Sequence, residues 1–243
     1  MLFMLYILQN DYMNTRFIDM KKLGLGAILF FIAQLSFAQT KQNVGTFNAV
    51  EVTDKIQVEL LKGTSNEVVI EGANSENIQV INNNGSLRIK MNTLNALQGN
   101  NVSVKVYFQS LNNILAKKGA KVVNRENQVI VSDQLNISAA EGGLVVLYLE
   151  AKKVDVKSTS GSTISLMGKS ITQDVVSNFG GKYEGKDLKT DVSNVTVNGG
   201  GKAEIYAKDS VVAKTRAGGV IDVYGNPVHK SEKKIAGGTI NYK

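Results

Sequence analysis

Three acidic residues are the side chains of this chain best placed to do chemistry together. Glu184, Glu204 and Asp222 occupy equivalent places in successive glycine-led segments. On neighbouring parallel strands such carboxylates would stand about 5 Å apart. At that spacing they could share a Ca²⁺ ion or serve as an acid–base pair on a glycoside. Lys182, Lys186 and Lys202 lie among them, so the same stripe also fits a solvated strand face with its charges balanced. Two residues beyond two of these acids stand Tyr206 and Tyr224, which would stack on adjacent coils. Stacked rings can receive sugars, or simply stabilise a sheet by about 0.2–1 kcal/mol per pair. These five residues are the expected binding positions.

Other reactive groups are scarce. The chain has no Cys and one His, His229, which follows Pro227. That removes disulfides, thiolate nucleophiles and cysteine metal sites, and it leaves any His-dependent triad resting on one residue. Gly180-Gly181 and Gly199-Gly200-Gly201 resemble phosphate loops only superficially. They lack the Gly-Lys-Ser/Thr ending and a following helix. No catalytic residue, metal ligand set or cofactor is expected, and no specific nucleic acid partner.

The elements that would position these residues are strands. Short alternations such as Ile56/Val58/Leu60, Leu87/Ile89/Met91 and Val102/Val104/Val106 have period two and are bounded by Gly, Asn and Ser. That is the pattern of half-buried strands. Glycines then recur at 142, 161, 180, 199, 218 and 237, each step being 19 residues. Three residues past them come Val145, Ile164, Tyr183, Ala203, Ile221 and Ile240, the fourth fitting after one extra residue, as if Gly201 were inserted. Seven and five residues before them come pairs such as Leu135/Ile137, Gln173/Val175 and Val192/Asn194, ending in Lys230/Glu232. A fixed period near 20 marks one supersecondary unit per repeat, stacked because no unit buries its face alone. The predicted fold is all-β: a parallel, right-handed β-helix or β-solenoid with coils of about 19 residues, the N-terminal strands continuing or capping the stack.

Residues 1–38 read as an upstream extension followed by a cleaved signal peptide. Met20-Lys21-Lys22 precedes the apolar run Leu23–Leu35 and the small-x-small site Ser36-Phe37-Ala38, so export is expected, with cleavage before Gln39 and no membrane span in the mature form. Residues 39–110 then form an N-terminal strand region and 111–243 the repeat region, or a single elongated domain runs from 44. The net charge of +7 suits an extracellular glycan or an anionic envelope polymer as partner. Lys152/Lys153, Lys186/Lys189 and Lys230/Lys233/Lys234 would form a basic edge for polyanions or guard strand edges.

The motifs Phe47-x-x-Val50-x-Val52, Ile56-x-Val58-x-Leu60 and Gly85-x-Leu87-x-Ile89, with the later glycine-led repeats, make residues 44 to 241 resemble the auto-transporter adhesin head domain family, the head GIN domain. The resemblance implies an exported β-helical protein of Bacteroidetes type and brings no functional residues with it. The expected function is a non-enzymatic envelope or surface protein offering a rigid β-helical face for binding or adhesion, in the periplasm, on the outer surface or secreted. The alternatives are a polysaccharide lyase or hydrolase using outward carboxylates, and a structural subunit stacking end to end.

Overall fold

A computed structural model describes residues 40–72, 75–92, 99 and 102–243. The expected signal peptide and its cleavage site lie outside the described residues. Gln39–Lys243 form one compact unit. Its strands begin with β1 (Thr40–Asn43), β2 (Ala49–Val52), β3 (Gln57–Lys62), β4 (Glu67–Gly72), β5 (Ile78–Asn83) and β6 (Ser86–Met91). They continue with β7 (Val102–Phe108), β8 (Asn113–Ala116), β9 (Lys121–Val123), β10 (Ile130–Ala139), β11 (Leu144–Thr159) and β12 (Thr163–Asn178). The last six are β13 (Lys182–Asn198), β14 (Lys202–Tyr206), β15 (Ser210–Arg216), β16 (Val220–Tyr224), β17 (His229–Ile235) and β18 (Thr239–Tyr242).

Parallel coils about 19 residues apart stack into a β-solenoid of about seven turns. In register, Val145 lies beside Ile164 and Ile164 beside Tyr183, while Leu147 lies beside Leu166. Alternation sends these residues inward, where all are fully buried. Each long strand crosses two faces: the half after a glycine corner lies on one, the half before the next corner on the other.

The corners are tight turns with two consecutive left-handed residues. At the corner after β11, Ser160 has φ 53° and Gly161 φ 69°, and the Ser162 N–H donates to the Thr159 carbonyl at 3.2 Å. This is the type I′ geometry, in which both central residues need positive φ. Corners also bond to one another along the stack: Gly161 N–H donates to the Phe179 carbonyl and Gly180 N–H to that of Gly199, both at 3.3 Å. At Gly180 a Cβ would meet no atom within 4 Å, so the cost of a side chain there is conformational. Gly180→Val is expected to lower stability by about 1–3 kcal/mol, and Gly180→Asn by much less, in equilibrium urea unfolding. Equal effects would mean that backbone conformation is not what glycine supplies at this corner.

The even 19-residue spacing hides one irregularity. Lys182 pairs with Lys202 and Lys202 with Val220, so one coil is a residue longer and the next a residue shorter. The extra residue is not Gly201 at the corner. The register slips where Ser165 and Met167 face Glu184 and Asp187, around Gly185 and Lys186. Tyr183 sits buried there, and a Cβ on Gly185 would lie 2.3 Å from its hydroxyl, so the glycine leaves room for the ring. In consequence Ser193 and Val195, not Val192 and Asn194, stand beside Gln173 and Val175.

The N-terminal strands both continue and cap the stack. On one face the order is β6, β2, β8, β10; on the other it is β7, β3, β9, β11, all parallel. The coil built from β2 and β3 therefore lies between one made later, from β6 and β7, and that of β8 and β9. Beyond β6 and β7 the sheet turns antiparallel: β5 pairs with β6, β4 with β7, and β1 with β4.

Candidate functional site

The acids form the expected column. Ser165 pairs with Glu184, Glu184 with Glu204, Glu204 with Asp222 and Asp222 with Asn241. Every acid in it is tied to a neighbour. Lys182 pairs with Glu184, and the Lys202 ammonium lies 2.8 Å from Glu204 and 3.8 Å from Asp222. Asn241 Nδ2 donates to Asp222 at 2.8 Å, with the Lys243 ammonium 3.9 Å away. The hydrogen bond to Glu204 holds the Lys202 ammonium above the ordinary lysine range. Among the described residues no group of three His, Asp or Glu side chains could hold a metal ion, so the shared Ca²⁺ reading finds no ligand set. The Glu184 and Glu204 pairs, each with a half-exposed lysine, contribute about 0–1 kcal/mol each. The buried Asp222 with its Asn241 hydrogen bond contributes about 1–3 kcal/mol. Replacing all three acids with alanine should therefore lower stability yet leave the protein folded. A lost thermal transition would instead make the column part of the folding core.

Tyr206 and Tyr224 are ladder neighbours, but their surroundings differ. A Cβ on Gly225 would lie 2.8 Å from the Tyr206 ring, so the ring packs on that glycine. The Lys189 ammonium stands 4.1 Å from the ring centre, a cation–π contact. Lys186 falls at the register slip: Met167 is opposite Asp187, and the Lys186 carbonyl accepts a bond from Lys189 Nζ. Elsewhere in the expected basic edges, Lys152, Lys153, Lys230 and Lys234 have partners. Lys152 bonds Asp133 at 2.8 Å, and Lys153 bonds Asp155 and Asp174 at 3.0 and 2.9 Å. Lys230 lies over the Tyr242 ring and Lys234 lies 3.9 Å from Glu232. His229 is exposed on β17.

Tyr206 also lines a groove that the sequence did not reveal. It has a volume of about 720 Å³ and lies where each coil bends from one face to the other. Its floor is a column of small residues, Ser132, Ala151, Ser170 and Thr190, on four successive coils. Val131 and Ile171 project on its sides, 62% and 53% exposed. Charges of both signs alternate along it, with Lys169 on Glu150 at 3.2 Å and Lys152 on Asp133. Lys189, Lys208 and Asp191 complete the polar lining near Tyr206. Small residues every 19 or 20 positions before each Val or Ile of the second face were the available signal. They carry no apolar or glycine signature, so nothing marked them.

Beneath the groove lies a buried polar network. The Tyr183 hydroxyl donates to Gln173 Oε1 at 2.7 Å, and Gln173 Nε2 donates to Thr190 Oγ1, Ser193 Oγ and the Tyr206 carbonyl at 3.1, 2.9 and 3.1 Å. Thr190 and Ser193 hydroxyls converge on that same carbonyl. The network thus fixes the side chain of one groove residue, Thr190, and the backbone carbonyl of another, Tyr206. Burial pushes the Tyr183 phenol far above its ordinary range, so it stays a donor.

Comparison with known proteins bears on the fold and the family. A "putative adhesin" from Bacteroides fragilis NCTC 9343 superposes with a TM-score of 0.77 at 22% identity, covering 86% of this chain and 98% of that one. One from Parabacteroides merdae ATCC 43184 gives 0.67 at 16% identity, covering 86% and 97%. A "putative lipid binding protein" from Parabacteroides distasonis ATCC 8503 gives 0.63 at 12%, covering 86% and 98%. At these identities the likeness is one of fold. Among curated proteins none matches the chain. The family model described as "Putative auto-transporter adhesin, head GIN domain" matches residues 46–227, from the first inward strand to the penultimate coil, and the chain belongs to that family.

Proposed function

We propose that this protein is an exported, non-enzymatic surface protein that works as an adhesin by binding an extracellular or envelope glycan at the bend groove. The observation carrying this reading is the groove itself. It is a concave site repeated over successive coils, with an aromatic ring, exposed aliphatic groups and charged rims. The family supports an adhesin-like surface role. Among the described residues no helix is long and apolar enough to cross a membrane. Binding rather than catalysis is favoured because Glu184, Glu204 and Asp222 are occupied by ion pairs and lie outside the groove lining.

The test is retention of the full chain on fixed bacterial cells and on mucus, before and after periodate oxidation of glycans, lipid extraction or protease treatment. The expected result is that periodate abolishes retention and protease does not. Retention removed only by lipid extraction would point instead to the ligand class named for the Parabacteroides distasonis neighbour. That outcome, or the absence of retention on either surface, would overturn the glycan reading.

A further inference from the structure

The geometry points to a neutral, linear oligosaccharide as occupant of the bend groove, lying parallel to the stack axis. This inference rests on the reading of the protein as a glycan-binding adhesin and adds the class and direction of the glycan. Direction follows from where the groove runs. It crosses five successive coils, from Val131 to Lys208, at right angles to the strands. At the coil spacing of about 4.8 Å its length is roughly 20 Å. That is room for an extended chain of about four sugar units, one per coil step. A branched glycan would have to leave the trench, and the strand backbones beneath are already paired in ladders, so an added peptide strand finds no free edge there.

Class follows from the lining. A polyanion site concentrates positive charge, whereas here four lysines face three carboxylates and two of the pairs bond across neighbouring coils. Such alternation suits hydroxyl groups, each of which both donates and accepts: carboxylates take the protons and ammonium groups give them. Val131 and Ile171 supply aliphatic surface between the polar groups, matching the CH faces of sugar rings. Tyr206, held by Lys189 and by Gly225, supplies a fixed ring at one end.

The experiment probes an array of linear and branched oligosaccharides of two to six units, neutral and uronate-containing, with the full chain and three variants. Expected are binding of neutral linear chains that strengthens up to about four units and then levels, and less than about twofold change on raising salt from low to 0.5 M. Ala151→Phe, which fills the floor, should weaken binding at least about tenfold, and Tyr206→Ala about three- to tenfold through loss of the ring. Lys208→Ala, which removes one hydrogen-bond donor from the lining, should weaken binding about two- to tenfold without steepening its dependence on salt. Far-ultraviolet circular dichroism and melting identify a variant that fails to fold, and Lys208→Ala keeps a readout if either of the others does. Preference for uronate chains with steep salt dependence, indifference to both Ala151→Phe and Tyr206→Ala in folded protein, or no binding on the array would overturn the inference. With a uronate preference or an empty array, periodate-sensitive retention on cells would still stand for a glycan-binding adhesin; indifference to both groove variants would remove the groove as its site.

Discussion

Gln173→Leu is expected to cost about 2–4 kcal/mol of stability, the largest loss for any single side chain outside the apolar core. Gln173 is fully buried, and its Oε1 accepts from the Tyr183 hydroxyl, itself wholly buried, which has no other acceptor among the described residues. Leucine has similar bulk but leaves that hydroxyl without a partner and removes a donor from Thr190, Ser193 and the Tyr206 carbonyl. An unsatisfied buried hydroxyl costs about 1–3 kcal/mol, more than the net gain of the bond when made. Tyr183→Phe should be costly for the mirror reason, because it strands Gln173 Oε1. The double variant replaces both partners with apolar groups, so its loss should fall short of the sum by at least about 1 kcal/mol. Urea unfolding of the four proteins, with m held constant, measures this. Strictly additive losses would show that the two side chains are merely neighbours.

A second large effect is expected at the far end of the stack. Lys230, Glu232 and Lys234 continue the ladder positions of Val211, Ala213 and Thr215, all buried, yet every residue of β17 is exposed. Among the described residues β17 and β18 have a ladder partner on one side only. Charged residues at inward-facing positions of an edge strand oppose pairing with another chain, because docking would bury them. Tyr242 closes part of this surface, with Lys230 4.3 Å from its ring centre, and burial reinforced by Glu232 pushes its phenol up to about 12. Replacing Lys230, Glu232 and Lys234 together by valine should therefore produce concentration-dependent association. Light scattering after gel filtration at tens of micromolar should report a mean mass higher than that of the parent by at least one protomer. An unchanged mass would mean that the charges do not guard this edge.

Both predictions concern residues whose types were visible in sequence but whose meaning was not. The fading of apolar character at Lys230/Glu232 was legible as the end of a repeat. Its role as an edge guard needed the register that sets Lys230 beside Val211. Gln173 stood in a column of inward residues and looked like an interruption. Its function came from Tyr183, ten residues later, and from Thr190 and Ser193. The groove was missed for the same reason. Ser132, Ala151, Ser170 and Thr190 become a floor only when coils stack and the bends align.

By itself the sequence determined the all-β class, the coil length, the glycine corners and the column of Glu184, Glu204 and Asp222. All of these follow from local rules: side chains alternate along a strand, and type I′ corners need residues that tolerate positive φ. Only the tertiary structure decided where the extra residue is absorbed, which coil the β2–β3 pair lies beside, and that the acids are spent on lysines while a groove opens elsewhere. Those outcomes depend on which distant segments meet. A period in the chain fixes the distance between successive coils, but not the side chains that face one another across them.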